Sequence, residues 1–172
     1  MSGTGIGTAS RDCARLLEQG RELVAGLAPE EYGACFDEGT FSSTGAHLRH
    51  VIDYLDCLLA GVDARSIDYT ARRRCPEIET SREAGLRELA RCIEALDKLD
   101  PRRERFTVDV RCDEGDPWVG STLARELGFV ASHTVHHFAL IRLTLARCGR
   151  RTAPEFGVSP STLAHRARGS RA

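Results

Sequence analysis

The sequence predicts an all-α protein, a four-helix bundle with crossover connections and a small β-hairpin before its last helix. Three observations carry this. Apolar residues recur at helical spacing in four long segments, and the segment from Phe106 to Cys112 alternates like a strand. In addition, five of the six histidines gather in two short clusters, His47/His50 and His133/His136/His137, each on one of the helical segments.

The first helix is expected from Ser10 to Leu27, where Cys13, Leu16, Leu17, Leu23, Val24 and Leu27 form an apolar stripe and Pro29 and Gly33 mark its end. The second takes Ser42 or Ser43 as N-cap and runs to Val62, with Leu48, Val51, Leu55, Leu58, Leu59 and Val62 on one side. A segment rich in arginine (Arg72, Arg73, Arg74) follows from Asp63 to Glu79 and is stopped by Pro76. Thr80-Ser81-Arg82-Glu83 reads as a capping box opening the third helix, whose core face is Leu86, Leu89, Ile93, Leu96 and Leu99. Asp113-Glu114-Gly115-Asp116 is a turn, after which Trp118-Val119 pairs back on the Phe106–Cys112 strand. The fourth and longest helix runs from Ser121 to Cys148 and ends at Gly149. Connections this long exceed what antiparallel neighbours need, so crossovers are expected.

Composition sets the class. A chain of 172 residues with 41% apolar and 28% charged residues is expected to form one globular domain over 1–172, with its packed core from about residue 9 to 165. No apolar run approaches the ~20 residues that span a bilayer. A net charge of −1 offers no field for nucleic acid or anionic lipid, and the arginines between Arg166 and Ala172 read as a frayed tail. The start, Met1 to Gly7, lacks the basic and apolar regions of a signal peptide. Seven cysteines, at 13, 35, 57, 75, 92, 112 and 148, never form Cys-x-x-Cys, and several fall on helical stripes as small apolar groups. Reduced thiols and a cytoplasmic location are the expectation.

The histidines carry the chemistry. His133 and His137 are four residues apart, so on a helix their rings stack one above the other and can point at one ion. On the wheel, Leu123, Val130, His137 and Ile141 share a sector with His133, Glu126 and Thr144 at its edge, while His136 is rotated by about 60° from His133 toward solvent. On the second helix His47, His50, Tyr54, Cys57 and Gly61 form a polar-to-small edge. One imidazole from there and two from the fourth helix make a three-histidine site with open coordination positions, as a catalytic ion requires. The wheel turns His47 closer to the core than His50, so either can supply the third ring. Glu126 is a candidate outer acceptor or base, and Tyr54 and Trp118 are candidate pocket walls. The bland alternative is a set of histidines capping polar pockets in an inert bundle.

Ser43-x-Gly45-x-x-x-x-His50-x-x-Asp53 followed by His133-x-x-x-His137 resembles the DinB/YfiT-like metal-binding four-helix bundles, and the resemblance covers about the whole chain. It implies a divalent metal, zinc or nickel ahead of iron or manganese, on His50, His133 and His137, with water completing the shell. His47 is the alternative to His50. Relatives include transferases that use small thiols such as bacillithiol or mycothiol, a mycothiol-dependent isomerase and a domain of ergothioneine sulfoxide synthases. The function implied is a metal-dependent transferase joining a low-molecular-weight thiol to a small electrophile. A metal-dependent hydrolase and a non-catalytic metal- or ligand-binding bundle are the alternatives. A homodimer is expected, with Ala131, Val135, Ala139 and Ala146 allowing close approach along the fourth helix.

Overall fold

A computed structural model describes residues 9–33 and 42–169. Its four long helices are α1 (Ala9–Ala25), α3 (Thr44–Ala64), α5 (Arg82–Asp97) and α6 (Leu123–Arg147). Helix α1 packs on α5 and α6, and α3 packs on the same two helices. Consecutive long helices α1 and α3 therefore lie diagonally across the bundle, as do α5 and α6, so two of the connections cross over as expected. Leu17, Leu48, Leu55, Leu89, Leu127 and Val130 fill the shared core with no exposed surface.

Four shorter helical pieces complete the chain: α2 (Pro29–Gly33), α4 (Pro76–Thr80), a 3-10 turn (Pro101–Arg105) and α7 (Pro160–Gly169). Each begins on proline. Proline ends a helix that reaches it but suits the first turn of a new one, where its missing N–H has no partner to lose. Pro29 and Pro76, expected to stop structure, therefore start it. The arginine tail expected to fray is helical through Gly169, and residues 170–172, like Met1–Gly7 and Cys35, lie outside the described residues.

Caps agree with the sequence in kind and differ in register. Ser43 Oγ accepts from the Ala46 N–H at 3.1 Å and caps α3. Ser81, not Thr80, caps α5, accepting from the Ala84 N–H at 3.2 Å. Thr80 is instead the last residue of α4, which Pro76 sets in motion. The cap is therefore displaced by one residue, and with Ala84 rather than Glu83 as the third helical residue no capping box forms.

The expected hairpin exists. Strand β2 (Thr107–Arg111) pairs antiparallel with β3 (Val119–Thr122), from Thr107↔Thr122 to Val110↔Val119, so Trp118 lies just before the ladder. Thr122 then caps α6, accepting from the Arg125 N–H at 3.3 Å. A third strand, β1 (Ser66–Asp68), runs parallel to β2 on its other side and was not foreseen. Its three residues are too few to show a period. It folds back against the end of α3 because residue 61 is glycine; a Cβ there would stand 2.4 Å from the Ser66 carbonyl oxygen. The turn at Arg65, in the left-handed region at φ 55°, makes the reversal.

Two buried carboxylates tie these pieces to the long helices. Asp53 on α3, 1% exposed, accepts from Arg49 Nη1 at 2.8 Å and from the backbone N–H of Arg74 at 2.9 Å. It thereby clamps the arginine-rich segment onto the helix. Glu126 on α6, fully buried, accepts from Ser121 Oγ (2.6 Å), Arg125 Nη1 (2.8 Å) and Tyr69 Oη (3.1 Å). It holds the start of α6 against the residue that follows β1.

After α6 the chain returns along it. Phe156 stacks on Phe138 with centroids 4.7 Å apart, and Gly157, at φ 69°, lies so close that a Cβ would be 2.6 Å from the Ala139 nitrogen. The small residue at 139, expected to admit a second copy, is therefore covered by this chain, and Ala131 is half-buried against the core. Ala146 remains exposed, beside Leu143 at 56%.

Glycine positions give a direct test of this packing. A Cβ at Gly45 would lie 2.0 Å from the Glu79 carbonyl oxygen and 2.7 Å from Tyr32 Cε1. Gly45→Ala should cost on the order of 3 kcal/mol, because backbone must move. Gly128, on α6 with nothing within 4 Å of its Cβ position, should gain about 0.5–1 kcal/mol as alanine. Urea denaturation of both variants reads the contrast.

Candidate metal centre

The interface between α3 and α6 positions the histidines. On α6, His133 and His137 are one turn apart and half-buried, with Phe129 one turn before them. On α3, His47, His50 and Tyr54 recur at the three- and four-residue spacing of one helix edge and are also half-buried. Packing the two edges together brings one ring nitrogen each of His50, His133 and His137 within 4.8 Å of one another. His137 Nε2 stands 3.0 Å from His133 Nε2. The His50 ring centroid is 4.7 Å from that of His137 and 5.0 Å from that of His133. Nitrogens about 2.0–2.1 Å from one tetrahedral ion would be about 3.4 Å apart, so this cluster needs only small adjustments to hold one.

His47 stands elsewhere. Its Nδ1 is 3.0 Å from Nδ1 of His137, on the far side of that ring from the nitrogen facing His133. With Nε2 of His137 turned into the cluster, the Nδ1–H can donate to His47 and fix the ring's orientation, as partners behind metal-binding imidazoles commonly do. The wheel placed His47 nearer the core because a projection discards height along the helix; His50, one turn on, is level with both α6 rings. His136 is exposed, as expected, with its ring 5.2 Å from that of His137.

Aromatic residues wall the cluster. Tyr54 lies 4.3 Å from His133 and 5.1 Å from His50, centroid to centroid, and stacks on Tyr69 at 5.2 Å. Phe129, not foreseen, lies parallel to the His133 ring within 3° at 6.0 Å. Its position four residues before His133 was the available signal. His133 Nδ1 is buried without a hydrogen-bond partner among the described residues. Trp118 is no pocket wall: it is 45% exposed and lies beneath the Arg111 guanidinium at 5.0 Å. Glu126 is likewise not beside the imidazoles. Seven residues of helix, about 10 Å, separate it from His133, and its oxygens are already engaged.

Electrostatics suits the rings to a cation. Burial, reinforced by Arg72, Arg49 and His47, pushes His50 down to about 4. Burial also takes His133 to about 4 with help from His50, His136 and Arg72, and His137 to about 3 with help from its histidine neighbours. His47 is lowered by burial and by His136. At neutral pH the rings are therefore uncharged, as nitrogen donors to a cation must be. Three neutral nitrogen donors with no carboxylate among them fit a borderline divalent ion such as zinc or nickel.

These shifts fix a pH dependence. Each folded-state value lies below the unfolded value near 6.5, so protonation favours the unfolded chain. The stability concerned is complete above pH ~6.5 and is lost as pH falls through about 4 and then 3. Calorimetry of the metal-free protein should show Tm level above pH 7 and falling below 6.5. The fall should be shallower in His137→Asn, which has one such ring fewer.

No described helix is long and apolar enough to cross a membrane. No curated protein matches the chain. The sequence profile of the DinB superfamily matches residues 15–141, from α1 through the part of α6 that bears His133 and His137. That stretch holds the bundle, the hairpin and all three converging imidazoles, and the chain belongs to the DinB superfamily.

Proposed function

We propose that His50, His133 and His137 bind a divalent metal ion, zinc or nickel before iron or manganese, and that the protein is a transferase joining a small thiol to a small electrophile. The observation that carries the reading is the convergence of three uncharged imidazoles from two helices of a DinB-superfamily bundle. Three protein donors leave a coordination position open, which a structural site closed by four ligands lacks. An ion there would supply the positive charge that turns a thiol into its nucleophilic thiolate at neutral pH. The chain's own part is to keep the rings uncharged, to orient His137 through His47, and to shield one side of the site with Tyr54 and Phe129. The six described cysteines are free thiols, which suits a reducing, cytoplasmic setting. A homodimer belongs to the same reading, resting on the exposed Leu143 and Ala146 of α6. Sedimentation as a monomer at micromolar concentration would remove it.

The ligand set is tested by metal analysis of protein purified without a nickel column, followed by thiol-conjugation assays with and without chelator. His137→Ala and His50→Ala should lose metal and turnover together. His47→Ala should weaken metal binding by about 10-fold, the scale of losing an outer partner, and His136→Ala should change little. A His137→Ala protein turning over at the wild-type rate would move the chemistry away from the histidines. Stoichiometric metal without conjugation, or with hydrolysis instead, would favour the binding bundle or the hydrolase. Metal loss greater in His47→Ala than in His50→Ala would exchange their roles.

A further inference from the structure

Arg72 lies beside the imidazole cluster, and no described carboxylate pairs with it. Its neighbours differ. Arg73 is ion-paired to Asp56 at 2.9 Å and to Glu88 at 3.1 Å, and the backbone N–H of Arg74 is held by Asp53 at 2.9 Å. Arg49, one turn before Asp53, is paired to Asp53 and to Glu79. Arg72 sits between Ala71, whose N–H donates to the Asp68 carbonyl at 3.2 Å, and ion-paired Arg73, so its backbone is held, yet its Nε is buried without a hydrogen-bond partner among the described residues. Its guanidinium carbon lies 5.5 Å from the centroid of Tyr54, the ring that also touches His50 and His133.

A guanidinium has two kinds of surface. The flat face can rest on an aromatic ring, while the in-plane N–H groups need acceptors, and side by side they match the two oxygens of a carboxylate. Tyr54 lies against the guanidinium of Arg72, and the Nε–H is left unanswered. A half-buried charged donor without an acceptor is costly, and such costs recur where a ligand supplies the missing partner.

We propose that Arg72 binds the carboxylate of the substrate, so that the thiol this site takes is an acidic one, with its carboxylate on Arg72 and its sulfur toward His50, His133 and His137. The proposal rests on the metal reading above and adds the class of substrate to it. Arg72 is then a specificity-determining residue: it selects a charge on the substrate and leaves the three imidazoles free for the ion.

Cobalt(II) is a suitable probe, because a thiolate bound to it gives a charge-transfer band that reports binding without turnover. The cobalt-loaded protein would be titrated with 3-mercaptopropionate and with its neutral counterpart 3-mercapto-1-propanol. Wild type should bind the acid about ten-fold or more tightly than the alcohol, the scale of one charge-assisted pair. Arg72→Met should abolish that preference while binding the alcohol and cobalt as wild type does. Arg72→Lys, which keeps the charge but not the paired N–H edge, should retain a few-fold preference. Equal affinities in wild type, or a preference that survives in Arg72→Met, would overturn the proposal and leave the metal reading standing. Failure of wild type to take up cobalt would sink both.

Discussion

Bringing three imidazoles within 4.8 Å of one another works only if none of them is charged, and that requirement organises the face between α3 and α6. Protonated rings at such distances would repel, as the lowering of His133 by His50 and of His137 by both reflects. Burial is what keeps them neutral, and burial needs walls. Tyr54 and Phe129 supply those walls from the same two helices that carry the histidines. The cluster and its desolvation therefore arise from one packing event, the closure of two helix edges.

The bundle and the cluster were legible in the sequence for the same reason. Helical spacing is a local code, and a ring at 133 with another at 137 must share a face wherever the helix lies. The choice between His47 and His50 was not local. It depends on how far α3 slides along α6, which is set by the fit of the whole core. The family register favoured His50 where the wheel left the choice open, and it is the His50 ring that lies 5.0 and 4.7 Å from those of His133 and His137. Trp118 and Glu126 were misplaced for a related reason: a wheel shows direction but not height, and Glu126 sits two turns from the rings it shares a sector with.

What the sequence hid was short. Strand β1 has three residues, and α2 and α4 have five each, too few for any period to emerge. Their proline starts looked like stops because the residue has opposite meanings at the two ends of a helix. These pieces are nonetheless what the site leans on. The parallel pairing of β1 with β2 brings Tyr69 in behind Tyr54, and Glu126 holds Tyr69 by its hydroxyl.

Asp53 shows how fold and site meet in a single motif. In His50-x-x-Asp53 the two side chains leave α3 in different directions, because three residues advance the helix by about 300° rather than a full turn. His50 faces α6 and its imidazoles, while Asp53 turns inward and binds Arg49 and the Arg74 backbone. A buried carboxylate is tolerable only when its oxygens are answered. The segment carrying Arg72 is thereby fixed to the helix that carries His50. Replacing Asp53 with asparagine would keep the shape but weaken both hydrogen bonds, since each now ends on a charged oxygen. The effect on a bound anion would then come through Arg72 and leave the ligand set intact. In this reading the acidic residue of the motif needs no contact with metal or substrate. Its role is to hold a cation-bearing loop beside a cluster of neutral rings, and under the proposal the order His50, Asp53, Arg72 along the chain becomes an order from ion, to strut, to substrate charge.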